Sequence, residues 1–225
     1  MIPFQTPGFV HLHVHSSFSL REGALTIAAL TKLALADKMP ALAITDTNNL
    51  FGALEFSEKL AKDGIQPIIG LQIACAFGDG ASMGPRAELA GAGRASIVLL
   101  AQNAEGYANL MWIASRAWLE PEAGDTPHIA ITRLQGRSAG LIALTGGPSG
   151  PLNRALAYGR PDVAGTRLEQ LKSLFASQLY VELQRHGLEA TGSAEPQLVD
   201  LAYRQSLPLV ATNDVPATLG LTMTA

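Results

Sequence analysis

The residues best equipped for chemistry lie near the N-terminus, in Phe9-Val-His-Leu-His-Val-His-Ser-Ser-Phe-Ser-Leu-Arg-Glu-Gly23. Read as a strand over residues 9–14, this stretch sends His11, His13 and His15 to one face and Leu12 and Val14 to the other. Imidazoles at that spacing can bring two ring nitrogens to one point, which is how a strand end holds a divalent metal ion. The same pattern also describes a plain strand whose half-exposed histidines bond to neighbours or water. The rest of the chain has to decide between the two.

A site on a strand end needs a sheet behind it. Further strands are expected at residues 41–45, 65–77, 96–101, 141–145, 179–183 and 209–214, each a short and largely apolar run. Helical stripes fill residues 25–37, 49–62, 107–119, 151–158, 162–175 and 195–205, with Gly64 as a C-terminal cap. Strands alternating with helices predict an α/β fold with a parallel sheet, and closure of that sheet into a barrel matches the size of the chain. The glycine-rich stretch 78–93 reads as a surface excursion, without the strand–glycine–helix order of a phosphate loop. Trp112 and Trp118 are expected to pack in the core or a groove.

In such a barrel, chemistry belongs at the C-terminal ends of the strands. His13, His15, Asp46, Gln72, His186, Asn213 and Asp214 all fall at those ends. Two histidines and Asp214 could hold one zinc or manganese ion with open water positions, enough for metal-assisted phosphoester hydrolysis. A structural role is the competing reading for His186, in its turn, and for Asp46, whose carboxylate can bond backbone amides after the second strand.

Composition narrows the functional classes. With 225 residues, 48% hydrophobic and 16% charged, the chain can bury one large core. A single cysteine, Cys75, excludes an internal disulfide and a cysteine-based zinc site, and fits a reducing cytoplasm. No basic-then-apolar leader opens the chain, and no apolar run is long enough to span a bilayer. The net charge of −3, with lysines and arginines scattered, argues against a free-standing nucleic-acid binder.

The blocks HLHVHSSFSLREG, MPALAITDTNNLFGALEF, IQPIIGLQ, IVLLAQN, LIALTGG, VELQRHG and VATND occur in this order over residues 8–215. Together they resemble the polymerase-and-histidinol-phosphatase (PHP) domain family, and within it the branch found at the N-terminus of the bacterial replicative DNA polymerase III alpha subunit. The resemblance implies a distorted seven-stranded TIM-like barrel over residues 1–215. It reads 216–225, an uncharged run, as an atypical tail left by truncation. The metal-binding branch of the family carries a polynuclear centre, and some members trim a DNA 3′ end.

Carried over by position, His13, His15 and Asp214 match family ligands, and Glu22 stands where the family has an aspartate. Thr47 and Ser96 occupy histidine positions, Gln72 an acidic one, Gly147 a cysteine or similar ligand, and Pro216 the final histidine. These losses remove most of the charge that a metal cluster needs. The resemblance therefore implies a non-catalytic scaffold with a vestigial site at His13, His15, Glu22 and Asp214, and no cofactor. The alternative is a single, weakly bound zinc or manganese ion serving a phosphoesterase or 3′–5′ exonuclease. Implied partners are the remainder of the polymerase chain and its proofreading subunit, with DNA met only through the full polymerase and no membrane.

Overall fold

The computed structural model describes residues 9–20, 22–79, 93–185 and 194–213. The sheet contains β1 (Ala41–Ile44), β2 (Gln66–Ala76), β3 (Arg94–Ala101), β4 (Ile129–Ala130), β5 (Leu141–Leu144), β6 (Leu179–Leu183) and β7 (Leu209–Ala211). Its order is β1-β2-β3-β5-β6-β7, with the short β4 paired to β2. Around it lie α1 (Ile27–Ala36), α2 (Ala53–Lys62), α3 (Ala104–Leu119), α4 (Pro151–Ala157), α5 (Pro161–Phe175) and α6 (Glu195–Arg204). Thr26 caps α1 through a 3.3 Å bond from Ala29 N, and Asn103 caps α3 through a 2.9 Å bond from Gly106 N. Gly64 ends α2 at φ +76°, as its position predicts.

The sheet is mixed, which corrects the all-parallel expectation. β3 runs antiparallel to both β2 and β5, whereas β1–β2, β5–β6 and β6–β7 are parallel. A parallel return needs a crossover, usually a helix, and the Gly-, Ala- and Ser-rich sequence between β2 and β3 carries no apolar helical stripe.

The expected first strand is also corrected. Residues 9–15 run beside β1 without forming a regular ladder. Ala43 N donates to His11 O at 2.9 Å and Thr45 N donates to Val14 O at 2.8 Å. Three residues of this segment therefore step past two of β1, one more than a ladder allows. The extra residue acts as a bulge does and turns the side-chain alternation over. Val14 N consequently bonds the Thr45 side-chain oxygen at 2.8 Å, where a ladder partner would otherwise stand. Leu12 packs inside the barrel and Val14 outside it, against α1 and α2.

Two layers of apolar side chains follow. The inner layer is built from Ala43, Val98, Leu100 and Leu144, with Leu12, Ile68, Ile142, Tyr180 and Val210 beside them, so every strand of the main sheet path contributes. The larger outer layer lies between the sheet and helices α3 to α6, and includes Cys75, whose thiol burial pushes far above its ordinary value. The sheet curls into a distorted barrel, and residues 9–15 lie against β1 on one side and reach β6 on the other. Arg167 of α5 is fully buried, pairs with both carboxylate oxygens of Asp79 at 2.7 Å, and lies over the Phe77 ring. That pairing ties α5 to the chain leaving β2.

Candidate functional site

His13 sits at the centre of the upper mouth, 1% exposed. Its Nδ1 lies 2.7 Å from Glu182 Oε1, and its Nε2 lies 2.6 Å from Gln72 Oε1. Gln72 passes the chain on, its Nε2 donating to Thr47 Oγ1 at 3.2 Å, and Thr47 Oγ1 donates in turn to Glu22 Oε2. With the Gln72 amide in this orientation every donor points one way. Nε2 of His13 is then a donor, while Nδ1 lies within reach of both Glu182 Oε1 and Gln184 Nε2, the latter at 3.0 Å. The His13 ring stands between the two carboxylates, and its charged form lowers the Glu182 carboxyl.

Glu182, the penultimate residue of β6, completes the pair and is fully buried. Its Oε1 accepts from His13, from Gln184 Nε2 at 2.9 Å, and from Thr212 Oγ1. Burial pulls this carboxyl upward, but the His13 charge and the three donors outweigh it and hold it below the usual glutamate range. Its other oxygen, Oε2, has no hydrogen-bond partner among the described residues. Gln184 gets its place from Gly147, since a Cβ there would come within 2.6 Å of the Gln184 side chain. Gly147 thus makes room for a neutral amide.

His15 lies beside His13, ring centres 5.4 Å apart. Its Nδ1 is 3.0 Å from Ser19 Oγ and 3.9 Å from Glu22 Oε2. Ser19 Oγ already donates to Asp46 Oδ1 at 2.6 Å, so it accepts from His15 Nδ1–H. Asp46 also takes Ser16 N and Ser16 Oγ, both at 2.7 Å. Its role is structural, as expected, but it holds the N-terminal segment across the barrel mouth.

The structure thus gathers His13, His15, Glu22, Thr47 and Gln72 into one network, and Gly147 beside it. His11 does not join them. Its ring packs edge-on against Phe9 at 4.8 Å, and burial lowers its pKa against an opposing pull from Asp37. Ser96 pairs with Ala74 on the neighbouring strand. Asp214, His186 and Pro216 lie outside the described residues. Glu182, Gln184 and Thr212 escaped the sequence reading, although a carboxylate inside Leu-Tyr-Val-Glu-Leu was a signal for a buried, paired charge.

Among the described residues the donor set does not fit a metal cluster. Gln72, Gln184 and Thr47 present amides and a hydroxyl, the Glu182, Glu22 and Asp46 carboxylates already accept from protein donors, and His13 is committed on both nitrogens. No group of three metal-ligating side chains occurs among the described residues.

The fold belongs to a known class of α/β barrel. It superimposes on a proposed metal-dependent phosphoesterase from Bifidobacterium adolescentis with a TM-score of 0.57 at 13% identity, covering 91% of this chain and 86% of that one. It also matches an amidohydrolase from Chromobacterium violaceum with a TM-score of 0.53 at 18% identity, covering 95% and 92%. The chain itself belongs to the PHP domain family, which matches residues 11–186.

Among curated relatives, DNA polymerase III subunit alpha of Caulobacter vibrioides is 44% identical over 208 residues, covering 92% of this chain and 18% of that protein. The same subunit of Treponema pallidum is 37% identical, and that of Thermus aquaticus 36%, with 18% and 17% of their lengths covered. The chain spans less than a fifth of these relatives.

Proposed function

We propose that this chain is the PHP domain of a replicative DNA polymerase alpha subunit and serves as a non-catalytic scaffold. The polymerase relatives support the first part. The observation that carries the second is the closed bonding of His13, between Glu182 at 2.7 Å and Gln72 at 2.6 Å. The His13 ring in its charged form does the charge balancing that a metal would do, and a fixed network offers no open position for a water nucleophile. The domain packs against the remainder of the polymerase in the cytoplasm and presents a surface to a proofreading subunit, and DNA reaches it only through the full polymerase. Nucleotidyl transfer resides elsewhere in that longer chain.

A second reading has one observation in its favour, the buried and unpartnered Glu182 Oε2. It takes the site as a phosphoesterase or 3′–5′ exonuclease in which His13, His15, Glu22 and Asp214 hold a single zinc or manganese ion. Metal content after purification without chelator separates the two readings, followed by zinc and manganese titration of the wild type, His15→Ala and His13→Ala/His15→Ala. The scaffold reading expects no stoichiometric ion in any of the three. An equimolar ion in the wild type that is lost in a folded His15→Ala would overturn it.

A further inference from the structure

Helix α3 carries two apolar stripes. Leu110, Ile113 and Ala117 are buried in the outer layer of the core. Tyr107, Met111, Ala114 and Trp118 form the second stripe, at steps of four, three and four residues, which is the spacing of a seam between two helices. This seam is turned towards solvent, with Tyr107 36% exposed, Met111 45% and Trp118 57%. Together with Leu50 and Phe51, ahead of α2, it lines a groove of about 530 Å³. No charged side chain of the described residues borders that groove. From Tyr107 to Trp118 the seam runs roughly 16 Å, or three turns.

The apolar surface extends past the groove. Phe51 is 71% exposed, Leu54 and Leu119 are also exposed, and Phe18 packs against Gly52 beside them. A monomer seldom leaves so many large apolar side chains together in water. The two tryptophans of α3 make the contrast. Trp112 lies under the guanidiniums of Arg116, Arg133 and Arg137, at 5.4, 5.6 and 4.6 Å from the ring centre. Trp118 has no such cover among the described residues, yet its Nε1 donates to Asn48 O at 2.7 Å, which holds the bare indole ready for a contact.

We infer that this groove is the seat of the remainder of the longer chain, which lays an apolar helix along the Tyr107–Met111–Ala114–Trp118 seam. The inference rests on the reading of this chain as part of a polymerase subunit. Three points choose that occupant. The curated relatives carry more than four-fifths of their length outside the region matched here. An uncharged apolar lining is the composition of a permanent interface, a core cut in two, whereas a subunit that comes and goes meets a more polar surface. The seam spacing suits a helix laid in a groove. A proofreading subunit and a second copy of this chain are the competing occupants.

The test compares the 225-residue chain with the full subunit that contains it, the latter alone and with its proofreading partner. Hydroxyl-radical oxidation read by mass spectrometry, normalised to an added reporter peptide, is the readout. Met111 and Trp118 are expected to oxidise readily in the short chain and several-fold more slowly in the full subunit, with no further change when the partner is added. Met111→Glu in the full subunit is expected to restore oxidation of Trp118, while in the short chain it moves the thermal midpoint by no more than about 2 °C. Equal oxidation of Trp118 in the short chain and the full subunit would overturn the seat. So would protection that needs the proofreading partner, or protection in the short chain that grows with its concentration. Protection of other faces with Trp118 left open removes the seat and keeps the polymerase reading, whereas a gene that encodes no longer chain removes both.

Discussion

Glu182→Ala is expected to lower the stability of the domain by about 3–5 kcal/mol, the cost of stranding one member of a buried charge pair. Glu182 is fully buried and its Oε1 gathers His13, Gln184 and Thr212, so truncation leaves an imidazole ring, an amide and a hydroxyl facing an empty space. Glu182→Gln keeps the shape and one acceptor oxygen, and is expected to lose less. Urea denaturation followed by circular dichroism measures both.

The acid limb of the stability curve gives a second readout of the same pair. The folded-state pKa of Glu182 is depressed, so below the ordinary glutamate range the unfolded chain binds the proton more readily. The contribution is complete above about pH 4.3 and drains away as the pH falls through the lower folded value. Glu182→Gln is expected to flatten that limb. An unchanged acid limb in the glutamine variant would show that the pair carries no proton-linked stability.

Gly146→Ala is expected to cost about 3 kcal/mol or more, from two causes that act together. The residue sits at φ +79°, where an L side chain is strained, and its Cβ would fall 1.9 Å from the backbone oxygen of Ser96. Backbone cannot swing away as a side chain can, so β3 or the turn after β5 must move. That turn follows Thr145, whose hydroxyl receives Glu182 N at 2.9 Å, so the damage spreads into the site. A thermal midpoint within a degree of the wild type would contradict this reading. Gly147→Ala meets only the flexible Gln184 side chain, though at φ +54°, and is expected to lose less.

How far the site was legible depended on how its residues are held. His13, His15 and Glu22 could be found because they lie within ten residues of one another, in a recognisable block. Glu182 and Gln184 were not, because their partner is 169 and 171 positions away in the chain. A single-residue slip misplaced His11, since alternation along a strand assumes a regular ladder and residues 9–15 lack one.

The sequence by itself determined the α/β alternation, most element boundaries to within a few residues and the PHP resemblance. Those depend on local periodicity and residue type, which a linear chain displays directly. Only the tertiary structure decided the reversal of β3, the bulge that turns Val14 outward, and the Glu182–His13–Gln72–Thr47–Glu22 chain of bonds. These depend on register between distant segments, and on which donor finds which acceptor once water is excluded from the barrel mouth.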